Sequence, residues 1–252
     1  LEGLNASFKN SGGDAIEVYG NSVVHVRNTD VSGASGRGLY ARDGSIIATR
    51  DATINTTGGD AIYAETGGKI YATGSTISNV GAVAVSATEC AIIDIGSSTI
   101  TTAIGSGIVS NKASTVNAES IIMSGIGQDG IRAFKGSVVN AHDASIDGCT
   151  IGISADRCSQ VVATLSDISA TTSDGISVQS GATVSAGGST LTDIGGNGLF
   201  STGAGSTIDF GGASSITNTT SNAIYADAGG TINSDSVTLT TIGGSGVLGN
   251  KA

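Results

Sequence analysis

Six of the nine aromatic residues in this 252-residue chain stand one or three positions beyond a recurring apolar residue: Tyr19, Tyr40, Tyr63, Phe134, Phe200 and Tyr225. That spacing turns all six to one outward face. Rings gathered on one face do contact chemistry, because a tyrosine offers a large rigid area plus a hydroxyl at low entropic cost. With Arg42 in the same position class, they are the candidate partner-binding set. Two other roles fit the same spacing. The rings could stack along a ladder and stiffen it, or lie under a segment outside this chain.

Other residue types give weaker patterns. Cleavage of a polysaccharide needs two or three convergent carboxylates, or a basic residue beside bound calcium. No pair of acidic residues one repeat apart is joined by a basic residue on one face, and His25 and His142 stand about five repeats apart. The chain is therefore read as non-catalytic. Asp94, Asn117 and Asn140 fall one repeat apart. Calcium takes six to eight oxygens and usually several carboxylates, so these three read as a stacked amide ladder. Arg27 and Arg50 also sit one repeat apart and give a weak hint of anion binding. Cys90 and Cys158 occupy a place held elsewhere by Gly44, Gly67, Ala113, Gly136, Gly181 and Gly229. They read, with Cys149, as unpaired small residues, Cys90 and Cys158 filling a crowded corner. No metal and no cofactor is expected.

What positions these side chains is a ladder. An apolar residue recurs at Ile16, Leu39, Ile62, Val85, Ile108, Ile131, Ile153, Ile176, Leu199, Ile224 and Val247, in steps of 23, 23, 23, 23, 23, 22, 23, 23, 25 and 23. A fixed period in this range is the mark of a solenoid. A second ladder runs through Val24, Ile47, Ile70, Ile93, Val116, Val139, Val161, Val184, Ile208 and Ile232. A third runs through Phe8, Val31, Ile54, Ile77, Ile100, Met123, Ile146, Ile168, Leu191, Ile216 and Leu239. Three mostly β-branched anchors per repeat, each with alternating neighbours, make three short strands and three corners.

Equal positions stack at the strand spacing, so about ten coils build a rod of roughly 48 Å. Connections between parallel strands are right-handed. The fold is all-β: a single-stranded, right-handed, three-faced parallel β-helix of about ten coils of 23 residues. Composition agrees, with 40 glycines for tight corners and no proline to interrupt a ladder. The residue before each first-ladder anchor is Gly or Ala throughout, which implies that nothing larger than a methyl fits there. Asp14, Asp60, Asp129, Asp174, Asn197 and Asn222 stand two residues before an anchor and are expected to satisfy backbone donors.

Residues 1–252 form one continuous repeat domain. It has no capping repeat at either end and is expected to be a piece of a longer protein. A net charge of −10 argues against nucleic acid, and no apolar stretch is long enough to cross a membrane.

The unit SGGDAIEVYGNSVVHVRNTDVS, echoed in TGGDAIYAETGGKIYATGSTIS and TSDGISVQSGATVSAGGSTLT, resembles the passenger domains of Gram-negative autotransporters of the pertactin type, with their G-I-x-A-x-x-G-S-x-V-x-A coils. The resemblance implies a secreted or surface-displayed rod, monomeric, that contacts a host cell-surface protein or glycan in adhesion or receptor stimulation. The alternative is a phage tail-fibre or tail-spike β-helix on a virion, binding bacterial surface polysaccharide. The Thr- and Ser-rich outward positions of the third strands resemble the ice-binding face of some β-solenoid antifreeze proteins, interrupted here by Ile122, Asp147 and Asp167. Ice binding and polysaccharide degradation rank below the first two readings.

Overall fold

A computed structural model describes residues 2–250, which form three parallel sheets of 11 strands each. No helix occurs among the described residues. One coil consists of Ile62–Ala64, Lys69–Tyr71 and Thr76–Val80. The next coil repeats these strands directly above. Ile62 pairs with Leu39 and Val85, Ile70 with Ile47 and Ile93, and Ile77 with Ile54 and Ile100. The three apolar ladders are thus three columns of one core, and Ile62, Ile70 and Ile77 are fully buried. The described residues make 11 turns. The strand Glu2–Leu4 carries a glycine at its centre, so its place in the second sheet is invisible to apolar periodicity.

The narrow position before each first anchor has a definite cause. A Cβ on Gly130 would meet Ile146 Cγ2 at 2.5 Å and the Gly152 carbonyl oxygen at 2.7 Å. The third-ladder side chain therefore fills the space that a larger residue would need. The corner that holds Cys90 and Cys158 is different, and the crowding expected there is corrected. A Cβ on the equivalent Gly136 would meet nothing within 4 Å. The constraint is backbone conformation: Glu89 and Cys90 have φ of 56° and 60°, and Arg157 and Cys158 have 52° and 59°. Two successive left-handed residues form a tight corner that favours glycine in its second place. Cys90 and Cys158 are exposed at these corners, Cys149 is buried, and all three are free thiols.

Buried serines complete the corners. Ser137 Oγ donates to the Ser110 carbonyl at 2.7 Å and accepts from the Phe134 amide at 3.1 Å. Ser45 does the same with Val18 and Arg42 at 2.6 and 3.0 Å, and Ser159 with Ala133 and Asp156 at 2.8 and 3.2 Å. A corner breaks the regular ladder, and each serine supplies the donor and acceptor the bent backbone lacks. The core between these corners contains one outsized member. Phe210 is fully buried where the preceding coil has Ala186.

Ile70→Asp places a carboxylate in the middle of the second column, where its neighbours are Ile47 and Ile93. Losing the buried side chain removes about 1.5–3 kcal/mol and the unpaired charge costs more. The variant should melt far below the parent or fail to fold, measured by circular dichroism on heating. An unchanged Tm would refute the ladder.

Candidate functional site

The outward face of the first sheet begins with a closed aromatic cluster. Tyr40 and Tyr63 are register partners on adjacent coils, with ring centroids 5.4 Å apart. Glu65, two residues beyond Tyr63, accepts from both hydroxyls: Tyr40 bonds to its Oε1 and Tyr63 to its Oε2 at 2.9 Å. The Arg37 guanidinium lies over Tyr40 at 3.5 Å and over Tyr63 at 5.0 Å. Asp14 anchors that guanidinium at 3.0 Å. Arg42 reaches toward Tyr19 at 5.0 Å and pairs with Glu17 at 3.2 Å and Asp43 at 3.3 Å. Four of the expected site residues, Tyr19, Tyr40, Arg42 and Tyr63, therefore meet in one cluster.

Tyr40 corrects the expectation of six exposed rings, because it is only 5% exposed. It points outward as expected, but Arg37 and Tyr63 cover it. Burial, reinforced by the bond to Glu65, raises the pKa of both tyrosines above the ordinary phenol value. Tyr19 at the rod's beginning is 58% exposed, while Tyr63, Phe134, Phe200 and Tyr225 are half-buried.

The remaining rings form two further islands. Phe200 and Tyr225 are register partners and stack with centroids 5.3 Å apart and planes at 28°. Phe134 stands apart from other rings, flanked by the Arg132 guanidinium at 5.3 Å and the Lys135 ammonium at 5.6 Å. Between the islands the outward column carries small residues. Ser86 lies in a trough between Tyr63 and Val109, and Ser154 pairs with Ser177. Six coil steps separate Tyr63 from Phe200, about 29 Å at the strand spacing. The face therefore presents raised aromatic islands and polar troughs, a relief suited to an extended surface contact.

Arg37 and Glu65 are the cluster residues that the aromatic spacing did not single out. A signal for Arg37 existed. Asp14, Arg37 and Asp60 occupy one column at 23-residue steps, with alternating charge. The expected turn bonds are present in that column: Asp14 accepts from the Arg37 amide at 2.6 Å and Asp60 from the Val83 amide at 3.0 Å. Asp174 and Asn222 do the same for Asn197 and Ser245 at 2.8 and 3.0 Å. On the second sheet, the Asp94–Asn117–Asn140 run is a hydrogen-bonded ladder, each amide nitrogen donating to the preceding side-chain oxygen at 3.0 Å. No group of three or more metal-ligating side chains occurs among the described residues.

The sequence profile of the family described as a right-handed β-helix region matches residues 3–123 and 60–214. The chain belongs to the right-handed β-helix family. No curated protein matches it in sequence. A solved structure of QnrB1, a plasmid-mediated fluoroquinolone resistance protein, is similar at 12% identity over 95% of this chain and 92% of that one, with a TM-score of 0.20.

Two predictions follow from the geometry of this face. Arg37→Ala removes the cation covering Tyr40 and the partner of Asp14, and should lower stability by about 1–2 kcal/mol. Tyrosine fluorescence should report the newly exposed ring, and unchanged emission would show that Arg37 does not cover it. The second concerns pH. Burial raises the carboxyls of Asp60, Asp129 and Asp174 above their ordinary value. A carboxyl raised in the folded state favours the protonated fold. Stability should therefore rise as pH falls through the folded values and level off below the unfolded ones. Exposed Glu89, lowered by its bond to Lys112, works in the opposite direction. Asp129→Asn should raise the Tm at neutral pH and shrink the gain on acidification. A variant whose acid-side gain matches the parent's would overturn the assignment.

Proposed function

We propose that this β-helix is a non-catalytic, passenger-type rod, secreted or displayed on a bacterial surface, that contacts a host cell-surface protein or glycan through its first-sheet face. The observation that carries the reading is the concentration of six of nine aromatics on one of three outward faces. Tyr19, Phe200 and Tyr225 supply the contact area, and Tyr40 serves as the buried floor on which Tyr63 and Arg37 rest. The uniform coil length, never more than 25 residues between first-ladder anchors, builds a straight platform without long loops. Such a platform suits adhesion or receptor contact by a monomer better than enclosure of a small substrate. A net charge of −10 directs the contact away from nucleic acid and anionic lipid.

The test is saturable binding of labelled protein to animal cells, compared with an unrelated β-helix. Tyr19→Ala combined with Phe200→Ala and Tyr225→Ala should weaken binding at least about tenfold, as loss of aromatic anchors does at interfaces. The Tm should fall by only a few degrees, because none of the three rings is fully buried. Equal binding by parent and triple variant would remove the aromatic face from the proposal. Binding to bacterial polysaccharide instead of animal cells would favour the tail-fibre reading.

A further inference from the structure

The second sheet carries a groove that the aromatic face does not involve. Its outward column runs His25, Ala48, Tyr71, Asp94 in register. Ala48 leaves a gap between two rings that stand two strand steps apart, about 9–10 Å. Arg27 and Arg50 form the next column on adjacent coils, where the Asn28 amide donates to the Arg50 carbonyl at 3.0 Å. The resulting groove has a volume of about 340 Å³ and is lined by His25, Arg27, Arg50, Tyr71, Thr73 and Asp94.

Its arginines differ from most other cations of the chain. Lys9, Arg37, Arg42, Lys112 and Arg157 are paired with carboxylates. Arg132 and Lys135 lie beside Phe134. Among the described residues, Arg27, Arg50 and the half-buried Lys69 have neither kind of partner, although the chain carries ten more negative than positive charges. Both arginine side chains are exposed. Asp51, Asp94 and Glu119 border Arg50, yet neither arginine forms an ion pair among the described residues, and Asp94 Oδ1 accepts from the Asn117 side chain at 3.0 Å and the Gly96 amide at 3.2 Å. A guanidinium presents a planar fork of donors matched to an oxyanion.

We propose that this groove binds an acidic sugar ring, seated over Ala48 between His25 and Tyr71. Arg27 and Arg50 bind its carboxylate or sulfate group, and Thr73 and Asp94 meet its hydroxyls. Tyr71, 39% exposed, supplies the apolar surface on which the ring rests. The oxyanion class is set by the unpaired guanidiniums. The sugar is favoured over a bare ion by the ring-wide gap and the polar groups beside the charge.

Calorimetric titration of the whole chain tests this with five probes: a sulfated oligosaccharide, an oligogalacturonate, a neutral dextran oligosaccharide, sodium sulfate and adenosine monophosphate. The two acidic oligosaccharides should bind, the neutral one should not, and sulfate alone should bind more weakly at the same place. Arg27→Ala with Arg50→Ala should reduce acidic-sugar affinity by at least about tenfold. Both residues are exposed, so the Tm should hold. Lys135→Ala with Arg157→Ala, the same charge change elsewhere, should leave affinity within about twofold, a loss expected from general electrostatics alone. Tyr71→Ala should weaken the oligosaccharides and leave sulfate unaffected. No preference for acidic over neutral sugar, or equal losses in the two charge pairs, would overturn the site. Sulfate binding as tightly as the sugars, or adenosine monophosphate binding more tightly than either, would overturn the assignment of the ligand. The groove variants touch no residue of the first-sheet face and the titrations use no cells, so they succeed or fail independently of the host-contact reading.

Discussion

The vertical hydrogen bond between equal positions of successive coils is the interaction from which the rest of this structure follows. The Ile62 amide donates to the Ala84 carbonyl at 3.0 Å, and the Leu39 amide donates to the Ala61 carbonyl at 2.8 Å. Every strand between the first and last coils uses its donors and acceptors on the coils above and below, so no such coil can tilt or slip without breaking its neighbours' bonds as well. A one-residue slip would also turn each buried anchor to the solvent. Fixed register forces like residues to stack, and that makes a column of side chains the unit of this protein. The core is three apolar columns, the corners are columns of left-handed residues and buried serines, and each outward face is a set of polar or aromatic columns.

Stacking on a fixed spacing also explains why the corners are so specialised. A coil must turn three sharp corners within about 23 residues, and regular strand geometry cannot do that. Left-handed residues make the bends, 29 of them without glycine's freedom. Asparagine and aspartate recur among them, as at Asn5, Asn28 and Asp51, because their side chains bond to local backbone and tolerate this region. Where the bend removes a backbone partner inside the rod, serine replaces it. Alanine at Ser137 would leave the Ser110 carbonyl and the Phe134 amide without this bond in the dry core. Small polar residues in the interior are thus a requirement of bending the chain, and the fully buried Ser45, Ser137 and Ser166 are as structural as the isoleucines.

This column logic decides what was legible in the sequence. The apolar anchors were legible because burial and register both act on every repeat, and Ile47, Ile54 and Ile62 stand at the centre of the core as their spacing required. The outward direction of Tyr40 was legible for the same reason. Its cover was not, since a column reports where a Cβ points and not where a long neighbour ends. Arg37 starts at the corner before Leu39 and folds back across the ring. Cys90 and Cys158 show the converse limit. A small-residue column has two physical causes, lack of space and left-handed backbone, and composition alone does not separate them. Gly130 belongs to the first kind and Gly136 to the second.

The faces of the rod then differ in how far their outward groups already satisfy one another. On the first sheet, Tyr40, Tyr63, Arg37 and Glu65 form a closed set in which both hydroxyls and the guanidinium have partners. Such a set has little to gain from a new polar partner, and its remaining value is apolar area and rigidity. On the second sheet, the amide ladder from Asp94 to Asn140 is likewise closed. Two and three coils below Asp94 the adjoining column carries Arg50 and Arg27, which form no ion pair among the described residues. Desolvating a group that already has a partner costs bonds that must be replaced, whereas an unpaired, solvated guanidinium gains a charge-assisted bond when an oxyanion arrives. On a rod whose backbone is the same at every level, recognition must therefore come from breaks in the columns. Ala48, the small residue between His25 and Tyr71, is such a break.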